Sequence, residues 1–175
     1  AQFSAASQIL LPGDGEGRNS VWLAEQGHHV TALDQSRIGL SKARALAMQR
    51  GVSIHTEQAN LATWRSRPST WDAVVLIYLH LPSQLRRRAH QQLWHGLKQG
   101  GLFVLEAFSP AQVHHTSGGP KDPDLLYDLH MLKDDLQPFE DHIEHLVGHE
   151  TQTTLDEGPG HQGLAEVVRF MVRKI

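Results

Sequence analysis

The chain has 175 residues, of which 39% are hydrophobic and 20% are charged, and its formal net charge is −3. This length and hydrophobic content fit one domain with a single core, spanning residues 1–175. The charge balance gives no basic footprint for nucleic acid, and no run approaches the roughly 20 apolar residues of a membrane span. Because cysteine is absent, there is no disulfide framework and no thiol nucleophile. We expect a cytoplasmic protein, monomeric or homodimeric, that binds neither nucleic acid nor a membrane.

The first elements alternate between strand and helix. The apolar run at residues 8–11 predicts a strand that Pro12 ends, and residues 20–26 predict a helix that Gly27 ends. A second strand is predicted at residues 30–33. Strands that alternate with helices are typical of a parallel sheet covered by helices on both faces.

The middle of the chain continues this alternation. Ser36 can cap a helix that runs to Gly51, and Ser83 can cap a later helix whose apolar face includes Leu97 and which ends at residues 100–101. The continuous apolar run at residues 73–79 predicts a central strand that is buried on both faces. Short strands are also expected at residues 52–56 and 102–107. The arginines at positions 86–88 are expected on a solvated helix face.

The last third of the chain predicts a short helix at residues 124–136 and two antiparallel strands at 143–155 and 166–173. Together, these elements predict an α/β fold. Specifically, we expect a Rossmann-like, doubly wound, mostly parallel seven-stranded sheet that ends in an antiparallel C-terminal hairpin.

The turn between the first strand and the first helix carries glycine at every second position, Gly13, Gly15 and Gly17. Such a turn lets the backbone approach a ligand closely. A dinucleotide fingerprint would need glycine at position 18, where Arg18 stands, and this argues against a nicotinamide cofactor. Asp34 ends the second strand, where a carboxylate can accept hydrogen bonds from both hydroxyls of a ribose.

Several segments together carry a family resemblance. Four segments have patterns that are generic to the fold: residues 13–19, 30–34, 71–80 and 100–102. Three others have patterns that are specific to a smaller group of proteins: residues 116–126, the pair Glu157-Gly158 with His161 and Gly163, and residues 167–169. On these segments, residues 9–175 resemble the class I methyltransferases that use S-adenosylmethionine. Within that group, the chain looks like the small bacterial enzymes related to the tellurite-resistance and thiopurine methyltransferases. Those enzymes carry an N-terminal helical lid over the cofactor, which we expect to be missing from this sequence.

The resemblance implies a set of residues that bind S-adenosylmethionine at the carboxyl ends of the strands. The glycine loop would wrap the methionine and ribose, and Asp34 would hold the ribose hydroxyls. Asn60 stands where the family places a polar contact to adenine, although asparagine in a loop is most often a turn former. The implied cofactor-binding residues are Gly13, Asp14, Gly15, Gly17, Arg18, Asn19, Asp34, Gln35, Ser36, Asn60, Leu61 and Tyr78.

One position departs from the family pattern. The family has an acid two residues before the first glycine, where it helps to orient the loop and the amino group of the ligand, and this chain has Leu11 there. Asp14 or Glu16 can supply the missing charge, although each also fits a solvated acid in a loop.

The residues implied on the acceptor side are Tyr78, His80, Glu157 and His161. A histidine with a pKa near 6.5 can accept a proton from the acceptor, but His80 is equally readable as a packing residue after a buried strand. Because the methyl group on the sulfonium is already activated, the reaction mainly requires a positioned nucleophile. We favour positioning over base catalysis.

The sequence therefore predicts methyl transfer from S-adenosylmethionine to a small-molecule acceptor, a soft nucleophile such as a thiol or a chalcogen oxyanion. A nicotinamide-dependent oxidoreductase and a module that binds S-adenosylmethionine without catalysis are the alternatives. His142, His145 and His149 would share one face of a helix and could hold zinc. However, the segment leads into a strand, which would scatter them, and we expect no metal.

Overall fold

A computed structural model of the protein describes residues 6–156 and 162–175. Within these residues the strands are β1 (Gln8–Pro12), β2 (His29–Asp34), β3 (His55–Gln58), β4 (Trp71–Ile77), β5 (Leu97–Phe108), β6 (Ile143–Asp156) and β7 (Gln162–Lys174). The helices are α1 (Arg18–Glu25), α2 (Arg37–Gln49), α3 (Ser83–Gly96) and α4 (Leu129–Leu136). Short 3-10 turns cover Pro110–His114, Pro123–Leu125 and Gln137–His142. In the described part of the chain, no helix is long and apolar enough to cross a membrane.

The strands of the described residues form one seven-stranded sheet in the order β3-β2-β1-β4-β5-β7-β6. β1 pairs in parallel with both β2 and β4, whereas β7 is antiparallel to both β5 and β6. This confirms the predicted doubly wound sheet with an antiparallel C-terminal pair. The strand order reverses between β1 and β4, and a ligand site is expected in the crevice at that point.

The core lies on both faces of β4, as the sequence predicts for its apolar run. Val74 and Leu76 belong to a buried cluster with side chains of α3 and α4. Ala73 and Val75 belong to a second cluster, which includes side chains of β1 and α1. Because β4 is buried on both faces, its carboxyl end is held in a fixed position beside β1.

Two predicted boundaries in the first half are wrong for local reasons. The third strand is residues 55–58 rather than 52–56, because the Val52 N–H donates to the Ala47 carbonyl at 3.0 Å and so closes the end of α2. Ser83 is the first residue of α3 rather than its cap, since the residue before the helix is Pro82, which has no side-chain cap. The Ser83 N–H instead donates to Oδ2 of Asp124 at 3.1 Å.

Two further boundaries are also wrong. α3 ends at Gly96 and Leu97 already pairs with Trp71 of β4, so the two glycines at 100–101 lie inside β5 rather than at the end of the helix. The helix expected at residues 124–136 begins only at Leu129. Asp128 caps it by accepting the Met131 N–H at 2.7 Å.

A buried ion pair joins α3 to α4. Arg86, which the sequence placed on a solvated face, is 5% exposed, and its Nε donates to Oδ2 of the fully buried Asp135 at 2.7 Å. His90 Nδ1 lies 2.9 Å from the same oxygen. Burial alone would raise the pKa of Asp135, but the hydrogen bonds from His90 and Arg86 outweigh it and lower that pKa. The carboxylate therefore stays charged inside the protein.

Replacing this carboxylate should strongly destabilise the fold. Asp135→Asn leaves the Arg86 guanidinium buried without its counter-charge, and the free energy of unfolding should fall by about 3–5 kcal/mol in urea titrations. Asp134→Asn is the matched control, because Asp134 is exposed and its one ion pair among the described residues is with the exposed His130. It should change stability by no more than about 0.5 kcal/mol. Equal losses in the two variants would contradict a special role for the buried pair.

Candidate active site

The turn after β1 has the backbone geometry that its glycines predict. Gly15 has φ +63 and Gly17 has φ +89, both in the left-handed region. A Cβ built on Gly17 would lie 2.5 Å from Cβ of Ala43 in α2, so this glycine permits close packing between α1 and α2. A Cβ built on Gly15 would meet no atom of the described residues within 4 Å, so this glycine faces open space at the cleft.

Asp34 connects this turn to the end of β2. Its Oδ2 accepts the Gly15 N–H at 2.9 Å, and its Oδ1 accepts the Ser36 N–H at 2.7 Å. Each carboxylate oxygen has a second lone pair, so the group can still accept hydrogen bonds from a diol. Ser36 itself is used as the cap of α2, where its hydroxyl accepts the Gly39 N–H at 3.0 Å.

A cleft of about 300 Å³ opens beside Asp34. Its walls include Asp34, Gln35, Asn60 and Leu61, with Leu79 and Leu81 on the opposite side. The side-chain oxygen of Asn60 accepts the Ala62 N–H at 2.9 Å, so this residue is a turn former. One lone pair of that oxygen and the amide N–H₂ group remain available to a ligand.

A larger cleft of about 1040 Å³ lies on the other side of Gly13 and His80, which line both clefts. Its walls are Gly13, Asp14, Gly15, Glu16, Arg18, Asn19, Ile77, Tyr78, His80, Phe108, Gly119, Pro120, Leu155 and Asp156. Most of the cofactor-side residues that the resemblance implies thus border one of two adjoining cavities. Gly17 and Ser36 line neither cavity, since Gly17 packs between α1 and α2 and Ser36 caps α2.

Tyr78, at the edge of the larger cleft, contacts side chains of β5, one of which is bound in turn by a side chain of β7. Its backbone has φ +51, an unusual value for a residue other than glycine. Its hydroxyl donates to Oε1 of Glu106 at 2.9 Å, and Arg169 Nε donates to Oε2 of the same carboxylate at 2.6 Å. Its ring stacks on Phe108 with a centroid distance of 4.6 Å. The Tyr78 hydroxyl hydrogen is therefore already used in a bond to Glu106.

One ring nitrogen of His80 forms a hydrogen bond, and the other has no partner among the described residues. Nδ1 lies 2.6 Å from the Leu125 carbonyl oxygen, which can only accept, so Nδ1 carries the hydrogen. Nε2 is then the basic nitrogen of the neutral ring, and it is buried with no hydrogen-bond partner among the described residues. Burial lowers the pKa of His80, and the hydrogen bond to Leu125 offsets this only in part. The ring is therefore neutral at pH 7 and can accept a proton or a hydrogen bond.

The charged residues of the glycine loop have different surroundings. Asp14 is half-buried and accepts the Ser20 hydroxyl at 2.5 Å and the Ser20 N–H at 3.2 Å. Glu16 is exposed and pairs with Lys42 at 2.5 Å. Arg18 and Asn19 begin α1 and also line the larger cleft.

Glu157 and His161 lie outside the described residues. The strand that precedes them, β6, reaches the larger cleft, because Leu155 and Asp156 at its end line it. His142 ends a 3-10 turn while His145 and His149 lie in β6, so the three are not on one helix face. Among residues 6–156 and 162–175, no three side chains of the metal-binding types are grouped closely enough to share an ion.

Sequence reasoning missed several residues that shape this site. Glu106 and Arg169 fix Tyr78, and the carbonyl of Leu125 sets which nitrogen of His80 is protonated. Gln112 is fully buried and donates to both the Ser117 hydroxyl and the Gly118 carbonyl at 3.0 Å, which fixes the segment before Gly119. The one sequence signal for these contacts was Glu106, an acid within the otherwise apolar second half of β5.

The strands and helices define a doubly wound α/β domain with two adjoining clefts at its switch point. Residues 9–101 match the family described as "Methyltransferase domain", which is more than half of the chain. The chain belongs to this family, and the resemblance to class I methyltransferases is confirmed. S-adenosylmethionine is the cofactor of these enzymes.

Individual relatives are more distant. The chain is 22% identical over 145 residues to 2-heptyl-1-hydroxyquinolin-4(1H)-one methyltransferase of Mycobacteroides abscessus. The aligned region covers 78% of this chain and 64% of that protein. It is 31% identical over 106 residues to tRNA 5-carboxymethoxyuridine methyltransferase of Escherichia coli, covering 56% of this chain and 39% of that protein. The chain therefore spans less than two thirds of the length of either relative.

Among solved structures, TehB from Haemophilus influenzae has the same fold, with a TM-score of 0.75 and 17% identity over 97% of this chain and 58% of that one. The narrower resemblance to the tellurite-resistance type agrees with this likeness of fold.

The two glycines should respond differently to added side chains. Gly15→Ala should lower the free energy of unfolding by about 1–2 kcal/mol, the cost of placing alanine in the left-handed region. Gly17→Ala should lower it by more, because its side chain must also push Ala43 away. Gly15→Val should abolish binding of S-adenosylhomocysteine in calorimetric titrations, because its side chain would fill the open space at the cleft. Normal binding by a folded Gly15→Val protein would make the loop a simple connector.

Proposed function

We propose that this protein transfers a methyl group from S-adenosylmethionine to a small-molecule acceptor that reacts as a soft nucleophile. The observation that carries the proposal is the meeting of the two clefts at Gly13 and His80. A cofactor with a nucleoside at one end and an amino acid at the other needs two such compartments. The acceptor needs a third space beside their junction, and the larger cleft is wide enough to provide it.

The residues of the smaller cleft fit an adenosine. The Asp34 carboxylate has lone pairs left for the ribose hydroxyls, and the leucines at positions 61, 79 and 81 offer apolar walls to a flat base. The open space beside Gly15 fits a ligand that runs along the backbone of the loop. Arg18 and Asn19, at the start of α1, would lie near the carboxylate of the methionine portion, where the positive end of the helix dipole favours an anion.

The acceptor side of the larger cleft is mainly apolar and aromatic. Tyr78, Phe108, Pro120 and Leu155 provide its surface, and the basic nitrogen of His80 adds one acceptor of hydrogen bonds. When bound, S-adenosylmethionine supplies an electrophilic methyl carbon. The protein's own part is to hold the acceptor in line, to exclude water and to receive its proton at Nε2 of His80 when the acceptor arrives protonated.

A tRNA acceptor is the second candidate, because one relative is named as a tRNA methyltransferase. The net charge of −3 and the pI near 6.5 favour a small molecule.

Turnover with a panel of thiols, selenols and hydroxylated heterocycles, measured as S-adenosylhomocysteine release, tests the proposal. Turnover with transfer RNA alone would overturn the small-molecule acceptor, and NADH binding in place of S-adenosylhomocysteine would overturn the whole assignment.

Asp34→Asn should weaken binding of S-adenosylhomocysteine by about 1.5–3 kcal/mol, as expected for hydrogen bonds to a charged group. Because Asp34 also holds the Gly15 and Ser36 N–H groups, part of the loss can come from the loop. The 2′-deoxy analogue of S-adenosylhomocysteine separates the two causes in calorimetry. Wild-type protein should discriminate against this analogue, whereas Asp34→Asn should bind both ligands nearly equally. Undiminished discrimination in the variant would remove Asp34 from the ribose site.

The pH dependence of turnover should distinguish base catalysis from positioning. The pKa of His80 is lowered, so its neutral form persists below the ordinary value, and a rate that depends on it should fall only at a pH below about 6.5. His80→Asn should remove that fall and, if His80 is the base, slow turnover by about a hundredfold. We expect the profile to follow the pKa of each acceptor instead, because soft acceptors ionise readily. A profile that is the same for acceptors of different pKa and disappears in His80→Asn would establish base catalysis.

A further inference from the structure

The family places an acid two residues before the first glycine, and this chain has Leu11 at that position. The Leu11 side chain is 2% exposed and packs in the apolar cluster that contains Ile9, Leu23 and Val30. The position therefore serves the core, and it offers no charge to the amino group of a ligand.

Asp14 is the carboxylate of the glycine loop that borders the larger cleft and is partly withdrawn from water. It lies between Gly13 and Gly15, and both of its oxygens accept hydrogen bonds from Ser20. These bonds tie it to the first turn of α1, where the preceding residue Gly17 provides no side-chain cap. The carboxylate is thus fixed at the wall of the cleft rather than free to turn towards solvent.

Asp14 has no compensating cation in the part of the chain that the structure describes. Among the described residues, no lysine, arginine or histidine lies within ion-pair distance of it, whereas the neighbouring Glu16 is neutralised by Lys42. Burial raises the pKa of Asp14 despite the hydrogen bonds from Ser20, and the negative charge of Asp34 adds to the increase. A cation bound in the cleft beside Asp14 would relieve both effects.

We propose that Asp14 receives the α-ammonium group of S-adenosylmethionine, so that the acid usually found before the loop has moved into it. The inference rests on the proposed function, because it assigns one contact within that cofactor site. It accounts for two facts together, the apolar residue at position 11 and a carboxylate at position 14 that forms no ion pair with the described residues. It also leaves Glu16 as a solvated partner of Lys42 with no contact to the ligand.

The test compares two ligands on each protein, so that any general damage to the site cancels. S-adenosylhomocysteine and its desamino analogue differ only in the amino group, and both are titrated calorimetrically. Wild-type protein should prefer S-adenosylhomocysteine by about tenfold to a hundredfold, as expected for a hydrogen bond between charged groups. Asp14→Asn keeps an oxygen that can accept from Ser20 but removes the charge, and it should lose most of this preference.

Three further variants control for other causes of a lost ligand preference. Ser20→Ala removes the hydroxyl bond to Asp14 but keeps the backbone N–H bond and the carboxylate, and it should retain the preference even if the protein is less stable. Glu16→Gln should leave it unchanged. Asp14→Ser provides a second neutral side chain in case the asparagine variant folds poorly, and it should lose the preference as well.

The titrations separate a failure of the Asp14 assignment from a failure of the proposed function. A preference that persists in Asp14→Asn or Asp14→Ser, or that is lost equally in Glu16→Gln, would overturn the assignment to Asp14 while leaving the cofactor in place. If wild-type protein bound neither ligand, the proposed function would fail first and the assignment would fall with it.

Discussion

The carboxylate of Asp34 joins the parts of the chain on which the cofactor side depends. Its two oxygens hold the Gly15 N–H from the turn after β1 and the Ser36 N–H that precedes α2. The Gly13 N–H is also fixed to this strand, since it donates to the Leu33 carbonyl at 2.7 Å. The loop, the end of β2 and the start of α2 therefore form one unit, and the position of open space beside Gly15 follows from it.

The opposite wall depends on a second set of contacts that begins in the buried ion pair. Asp135 fixes Arg86, whose guanidinium lies 5.1 Å from the centre of the Tyr127 ring. The Tyr127 hydroxyl in turn contacts both the N–H and the carbonyl of Leu81, which lines the smaller cleft. Burial raises the pKa of Tyr127 to about 12, so the hydroxyl keeps its proton. Helix α4, which makes no part of the cleft wall in the described residues, thus sets the position of that wall.

Local sequence patterns predicted the sheet and the shape of the glycine turn well because both depend on short stretches of chain. Alternating glycines, a terminal acid and an apolar run each constrain the backbone within a few residues, and the sheet they imply is the one observed. The serine at position 36 was correctly predicted as a helix cap, since its partner is three residues away. The serine at position 83 was not a cap, because the acceptor there comes from Asp124.

The contacts that sequence reasoning missed join distant parts of the chain. The proton on His80 is located by a carbonyl 45 residues later, and Arg86 is buried by an acid 49 residues later. An arginine run looks the same in sequence whether one member is buried or all are solvated. Asn60 was a plausible ligand contact and also a common turn residue, and its bond to Ala62 shows the second use.

The proposed cofactor side and the proposed acceptor side come from different parts of the chain, and only the first lies mainly within the range that the family model matches. The residues assigned to the cofactor, from Gly13 to Leu61, fall within the matched range 9–101. Most of the acceptor surface comes later, from Phe108, the segment fixed by Gln112, and the end of β6. Tyr78 and His80 lie between the two sides, and each is held by a partner from the later part, Glu106 and Leu125 respectively. Because those partners lie outside the matched range, the same cofactor half can serve different acceptors when the C-terminal half changes.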